Sequence, residues 1–199
     1  MEDKKDKNEY DLIIIGAGPA GLTSAIYALR YNMSNLVIGE APGGLIFETH
    51  KVCNFPTENE ISGRGLANKI KNHVEFLGGE ILQDRVVSAR KRGGKFLVKT
   101  LLTDQEFQSR GLVLALGTEP RKLNLDKEDE FLGKGISYCP TCDGMFYKDK
   151  VVAIVGGSDS ANVSSLYLAD IAKKVYQIYR RDKLRGEAAW INQILENDK

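Results

Sequence analysis

The sequence carries no surplus of either charge: its 28 lysines and arginines nearly cancel its 27 aspartates and glutamates. Without a field of one sign there is nothing to draw in a phosphate backbone or an anionic bilayer, so neither nucleic acid nor membrane is expected among its partners. It has no uninterrupted apolar run long enough to span a bilayer. Its opening, MEDKKDKNEY, is hydrophilic and of mixed charge, with no apolar segment of signal-peptide length. A cytoplasmic protein is expected. Cysteine is scarce, and of the three present two fall in one Cys-Pro-Thr-Cys, leaving Cys53 without an obvious partner. In a reducing compartment that spacing suggests redox chemistry or metal ahead of a structural staple. What remains is globular in composition: 199 residues, 42% hydrophobic and 28% charged, enough for one large domain or two modest ones.

Tyr10 to Ile15 is a short β-branched run ending at a glycine cluster, as a buried parallel strand would. Leu22, Ala25, Ile26 and Leu29 then mark one apolar helix face, and Asn35 to Gly39 restores strand character, completing a βαβ unit. A helix is expected between Ser62 and Leu77. Glu80 to Arg90, the Gly93-Gly94 hairpin signal and Lys95 to Thr100 predict an antiparallel meander, and Gly111 to Leu116 a further buried strand. Past Gly117 the chain turns polar, with Pro120 and a charge cluster from Lys127 to Glu130, which sets a domain boundary there. The first pattern then recurs. Val151 to Val155 ends at Gly156-Gly157, Val163, Leu166, Tyr167 and Ile171 give a helix face, Lys174 to Tyr179 a strand, and Glu187 to Glu196 a final helix. Two parallel strands leave both edges unpaired, so this second domain is expected to be incomplete in this chain.

Gly16-Ala17-Gly18-Pro19-Ala20-Gly21 fits G-x-G-x-x-G, in which the glycines serve the tight turn, close backbone approach to a pyrophosphate, and helix-to-strand packing. The following helix N-terminus offers free N–H groups to phosphates. Glu40 stands at the end of the second strand, where a carboxylate accepts a ribose hydroxyl, although a solvated strand-end residue is the plainer alternative. Cys139 and Cys142 bracket Pro140 and Thr141 at a spacing that closes a small disulfide ring or holds a dithiol. Exchange at such a pair needs an attacking thiolate and a proton source, and Asp143 is adjacent. Zinc would need two further ligands, for which only Cys53, His50 and His73 are at hand, at no recognised spacing. Cys53 itself reads as a packed small side chain.

A dinucleotide fold, a CxxC and a second dinucleotide fold in this order resemble the low-molecular-weight thioredoxin reductases. The resemblance runs through GAGPAG, Gly43-Gly44, Asn54-Phe55-Pro56, Leu114-Ala115-Leu116-Gly117-Thr118, Tyr138 to Gly144, Gly156 to Ala161, and Tyr179-Arg180-Arg181 with Arg185. It implies an α/β chain of two Rossmann-like domains in three layers: an FAD-binding domain over residues 1–117, without its usual return segment, and an incomplete NAD(P)H-binding domain over 118–199 that carries the CxxC. By the same resemblance Gly16, Gly18, Pro19, Ala20, Gly21 and Glu40 hold the adenosine diphosphate half of FAD. Gly43, Gly44 and Asn54 lie near the isoalloxazine, and Val87, Ala115 and Gly117 complete the site. Gly156, Ser158, Asp159, Ser160, Arg180, Arg181 and Arg185 are then assigned to NADPH. Electrons would pass from NADPH to FAD, to the Cys139–Cys142 disulfide, and on to thioredoxin or a similar disulfide protein. Cys142 would face the flavin, Cys139 would attack the partner, and Asp143 would serve as acid and base. A homodimer is implied for the full-length protein.

The sequence departs from that family in places. Ser158 takes the position where the fingerprint prefers the glycine of close approach. Val163 and Ser164 stand where relatives carry Glu, and Tyr179 replaces the His of His-Arg-Arg. Arg180, Arg181 and Arg185 survive and suit a 2'-phosphate, or else form a solvated basic turn. The family's completion of the nucleotide domain and its Gly-Asp return segment are missing. Three readings follow: an NADPH-dependent thioredoxin reductase, a flavin and dithiol enzyme with another donor or acceptor, and a non-catalytic fragment.

Overall fold

The computed structural model describes residues 8–199; the first seven residues of the hydrophilic opening lie outside the described residues. The chain divides into two compact units, one running up to Thr49 with Ile61–Glu119, the other His50–Glu60 with Pro120–Lys199.

In the first unit, β1 (Glu9–Ile15) leads through the glycine turn to α1 (Pro19–Arg30) and β2 (Asn35–Ile38). Pro19 sits at the first helical turn, where its fixed φ and missing N–H cost nothing. A short 3-10 helix, Gly44–Glu48, precedes α2 (Gly63–Phe76), which Ser62 caps by accepting from the Gly65 N–H at 3.1 Å. Then come β3 (Glu80–Leu82), β4 (Val86–Arg92), β5 (Lys95–Thr100) and β6 (Glu106–Leu114). The sheet order is β3-β2-β1-β6-β5-β4, parallel from β3 to β6 and antiparallel from there to β4. Alternation along β1 splits its side chains between two cores. Ile14 meets Leu22, Ala25, Val37 and Val74 under the helices. Ile13 and Ile15 meet Leu36, Ile38, Val98 and Phe107 on the opposite face.

One expectation is corrected here. Glu80 to Arg90 is two strands, because β3 joins β2 in parallel and only β4 enters the meander. The break falls at Asp84, whose buried carboxylate accepts from the Arg85, Leu102 and Thr103 N–H groups and turns the chain out of one strand direction into the other.

The second unit begins with two single helical turns, α3 (Glu128–Phe131) and α4 (Pro140–Asp143), and a 3-10 turn, Gly144–Tyr147. These lead into β7 (Val151–Val155), α5 (Asp159–Ile171), β8 (Lys174–Ile178) and α6 (Ala188–Leu195). β7 and β8 pair in parallel as a two-stranded sheet. Leu168, Ala169, Ala172 and Trp190 are buried where the helices pack. Val151, Val155, Tyr176 and Ile178 on the strands are more than half exposed, so one face of this sheet is bare. That is unusual for parallel strands, which are ordinarily covered on both sides. No helix among the described residues is long and apolar enough to cross a membrane.

Candidate functional site

The glycine turn of the first unit is built as its residue types require. Gly16 has φ +112°, and a Cβ there would lie 2.0 Å from the Ala115 carbonyl oxygen. Gly21 packs against the same turn, where a Cβ would meet the Gly16 oxygen at 1.8 Å. Gly18 is different, with φ −79° and nothing within 4 Å of an added Cβ. Neither backbone nor packing within the chain demands glycine at that position; what its lack of a side chain provides is open space at the N-terminus of α1, which suits a pyrophosphate.

Of the other residues expected in this site, Glu40, Gly43, Gly44, Ala115 and Gly117 follow the carboxyl ends of the parallel strands β2 and β6, whereas Val87 is on the meander and Asn54 belongs to the second unit. The Gly43 N–H donates to the Ala17 oxygen at 2.7 Å, and a Cβ on Gly44 would stand 3.2 Å from the Gly18 Cα. Ala115 donates to the Ile15 oxygen at 2.8 Å, and Gly117 follows, exposed, at φ +67°. Glu40 lies just past β2 with its side chain 63% exposed and an ion pair to Arg85 at 3.4 Å. Val87 sits at the register shift between Val86 and Ser88, half exposed, where a bulge re-aims the strand. Arg85 and Gln83, whose amide donates to the Glu40 oxygen at 2.9 Å, belong to this neighbourhood too; nothing in the sequence singled them out.

The second unit repeats the turn with different contents. Gly16 donates to Ile38 at 2.8 Å, and Gly156, at φ +150°, donates to Ile178 at 2.9 Å. Leu22 donates to Gly18, and Asn162 to Ser158, each at 2.9 Å. Ser158 is thus the counterpart of Gly18, and its side chain stands where the first turn is open. Sizes are exchanged at the next pair. In the first unit Ala17 packs on Gly39, whereas in the second Gly157 receives the Tyr179 ring, which a Cβ would approach to 2.3 Å. Asp159 Oδ1 accepts from the Glu187 N–H at 2.7 Å, and Ser160 follows within the first turn of α5. Arg180, the counterpart of Glu40, is exposed together with Arg181 and Arg185, and none of the three has an ion-pair partner among the described residues. A cationic, unpaired triad at this strand end fits a phosphate group.

Cys139 and Cys142 form a disulfide around the single turn of α4, with Cys139 half-buried and Cys142 exposed. The Cys139 N–H donates to Ser137 Oγ at 3.1 Å, and its sulfur lies 3.4 Å from the Thr141 hydroxyl. Asp143 is half-buried and lines a cavity of about 330 Å³ with Lys134, Phe146, Tyr147 and Lys150. Met145 and Phe146, just beyond it, are 66% and 75% exposed. Sequence reasoning passed over the segment that leads into this turn and read its charge cluster as a polar boundary. Glu128 in that cluster is buried, accepting from the Leu123 and Leu125 N–H groups and from the Tyr138 hydroxyl, one residue before Cys139. The bond from Tyr138 holds the Glu128 carboxyl below the usual range, against the opposing pull of burial.

Asn54 lies in the segment that packs with the second unit, where its amide donates to Glu187 at 2.8 Å. Cys53, read as a packed side chain, is an exposed free thiol instead; its neighbour Val52 takes the buried position. Among the described residues no group of three or more His, Cys, Asp or Glu side chains is placed to hold a metal ion.

Known proteins share this fold. The family model described as pyridine nucleotide-disulphide oxidoreductase matches residues 10–198. A thioredoxin reductase of Mycoplasma genitalium is 39% identical over 191 residues, which are 96% of this chain and 60% of that protein. The solved thioredoxin reductase of Lactococcus lactis is similar at a TM-score of 0.92 and 34% identity, over 96% of this chain and 62% of that one. A ferredoxin-flavin thioredoxin reductase of Clostridium acetobutylicum is similar at a TM-score of 0.53 and 36% identity, over 91% of this chain and 63% of that one. The chain therefore spans about three-fifths of the relatives it matches. With its two glycine turns, its disulfide and a family match over nearly its whole length, this chain belongs to the pyridine nucleotide-disulphide oxidoreductase family.

Proposed function

We propose that the chain carries the FAD seat and redox dithiol of a thioredoxin-disulfide reductase, with NADPH as electron donor and thioredoxin or a similar disulfide protein as acceptor. The observation that carries this reading is the Cys139–Cys142 disulfide, set beside the half-buried Asp143 and flanked by the exposed apolar side chains of Met145 and Phe146. A disulfide buried in a core would be a staple, whereas one at the surface beside an apolar patch suits a protein substrate. FAD, when bound, supplies a carrier that takes a hydride from nicotinamide and yields an electron pair to the disulfide.

The chain's own part begins once the pair is reduced. The Cys139 thiolate attacks one sulfur of the partner's disulfide, forming a mixed disulfide and expelling a thiolate that takes up a proton. Cys142 then attacks the Cys139 sulfur, which restores the internal disulfide and releases the second partner thiol. Two electrons and two protons leave the chain. Asp143 is the nearest carboxyl in sequence to hold or deliver a proton at the Cys142 sulfur.

In the first unit, the open position at Gly18 gives a direct test of the FAD seat. Gly18→Val is compatible with φ −79° and its Cβ meets no neighbour, so its melting temperature without cofactor is expected to stay within a few degrees of the parent. Its affinity for FAD should fall by at least about tenfold, since the side chain takes the space of the pyrophosphate. Flavin fluorescence titration and a thermal melt read the two effects. Unchanged FAD binding would remove the seat from this turn.

NADPH preference is proposed to rest on the exposed and unpaired Arg180, Arg181 and Arg185. Replacing Arg180 and Arg181 by Gln should narrow the preference over NADH by about one to two orders of magnitude in kcat/KM. Equal constants for the two nucleotides in the unmutated protein would sink this assignment. Ser158 and its crowded turn favour a second reading, in which the same flavin and dithiol take electrons from a different donor. The ferredoxin-flavin thioredoxin reductase among the similar structures lends that reading a precedent. Anaerobic titration of the flavin with NADPH, then NADH, decides between them.

A further inference from the structure

We propose that Asn162, fully buried, and Gln177, half-buried, are positioning residues for the second unit's phosphate site, an amide pair that pins the backbone of Arg185 to the glycine turn and so fixes where its guanidinium meets a dinucleotide phosphate. The inference rests on the proposed reading of the second unit as a dinucleotide site.

Register pairs Ile14 with Val37 in the first sheet and Ile154 with Gln177 in the second. Gln177 is therefore the counterpart of Val37, as Asn162 is of Leu22. In the first unit Leu22 and Val37 are fully buried members of one apolar cluster. The same architecture thus stands with a purely apolar pair, and setting a buried Asn162 and the buried Oε1 of Gln177 in its place brings a desolvation cost. That cost is not fully offset. Gln177 Oε1 is buried with no hydrogen-bond partner among the described residues, a loss that a leucine would not incur. Stability alone does not account for the pair.

What the amides hold is specific. Gln177 Nε2 donates to the Gly156 oxygen at 3.1 Å and to Asn162 Oδ1 at 2.9 Å. The reverse orientation of this amide would set oxygen against two acceptors, so the arrangement has one direction. Asn162 Nδ2 donates to the Arg185 oxygen at 2.9 Å, and the Arg185 N–H donates to the Gly157 oxygen at 2.6 Å. Arg185 is held at both its backbone groups, one to each side of the turn. Gly186 follows at φ +116°, packed on Asp159, so the loop closes directly behind it. The Arg185 side chain stays exposed and without an ion pair among the described residues. A cation rooted in this way gives up less freedom when it takes a phosphate than one on a loose loop.

The test is the double variant Asn162→Leu with Gln177→Leu, which restores an apolar pair at positions where the first unit carries one. NADP+ and NAD+ binding is measured by calorimetry on the flavin-loaded chain, alongside a thermal melt. The expected result is a melting temperature at or above the parent's, NADP+ affinity lower by about tenfold, and NAD+ affinity within about twofold. Unchanged NADP+ affinity in the folded double variant would make the pair structural only and overturn the inference while leaving the site intact. An unmutated chain that binds neither nucleotide overturns the dinucleotide reading and the inference with it. If the double variant does not fold, Gln177→Met keeps the volume, removes the donor, and is judged by the same affinities.

Discussion

Cys139→Ser and Cys142→Ser are each expected to lower reduction of a thioredoxin-like disulfide protein by at least about three orders of magnitude. Both variants should keep the flavin bound and reducible by nicotinamide, because hydride transfer does not pass through sulfur. The size of the loss follows from exchange chemistry: one sulfur must form the mixed disulfide and the other must resolve it, so neither alone completes a turnover. The two variants differ in what they trap. Cys142→Ser leaves Cys139 to form a mixed disulfide that nothing resolves, a covalent adduct visible on a non-reducing gel. Cys139→Ser should give none. In the structure Cys142 is the more exposed of the pair, which makes the trap a real test of the order of attack. An adduct through Cys142 would exchange the two roles, and wild-type turnover in either variant would remove the dithiol assignment.

How much of this was legible in the sequence depends on how local each signal is. The first glycine turn imprints itself because three glycines fall within six residues, and the structure shows a steric reason at Gly16 and Gly21 and open space at Gly18. The CxxC is equally local. Boundaries of α2, β7 and β8 follow hydrophobic period and lie within a residue or so of where the pattern puts them. The parts that sequence reading missed are polar residues whose partners are distant. Asp84 gives no sign that its carboxylate is met by Leu102 and Thr103, so Glu80 to Arg90 reads as one strand. Glu128 looks solvated in a run of charges, and only the fold brings Tyr138 onto it. Asn162 and Gln177 interrupt apolar patterns on a helix and a strand, and their meaning appears only when β7 and β8 pair. At Cys53 the error is a one-residue choice, since Val52 beside it is the one that faces inward.

Comparing the two units also separates what the turn needs from what its ligand needs. Gly16 and Gly156 both carry positive φ, so the backbone turn is common to both units. The pairs Gly18 and Ser158, Ala17 and Gly157, and Gly39 and Tyr179 vary without loss of the turn's hydrogen bonds. Positions free to vary in this way are where the two units set their ligands apart. The strand-end residue follows suit, acidic at Glu40 and basic at Arg180, in keeping with the ribose contact and the phosphate contact proposed for the two units.

The largest effect on stability is expected at Asp84, outside either candidate site. Its carboxylate, fully buried, receives the Arg85 N–H at 2.6 Å, the Leu102 N–H at 2.8 Å, the Thr103 N–H at 3.0 Å and the Thr103 hydroxyl at 2.7 Å. Burial by itself would raise the pKa, but these four donors outweigh it and hold the carboxyl well below the usual range. Asp84→Asn turns one acceptor oxygen into a donor facing N–H groups, so at least one of the bonds that fix the β3 to β4 turn onto the β5 to β6 turn is lost and the charge that strengthens the others is removed. At pH 7 the melting temperature is expected to fall by about 10 °C. The pH dependence has a definite sign. With the folded pKa depressed, the stabilisation is complete above the unfolded value of about 4 and disappears as pH falls from there through the folded value. The gap between parent and variant should therefore be widest near neutrality and should shrink below about pH 4, where the parent begins to lose what the variant never had. Melts at pH 7, 5 and 3 read that difference directly, and an equal gap at all three would mean that Asp84 acts through shape and not through its charge.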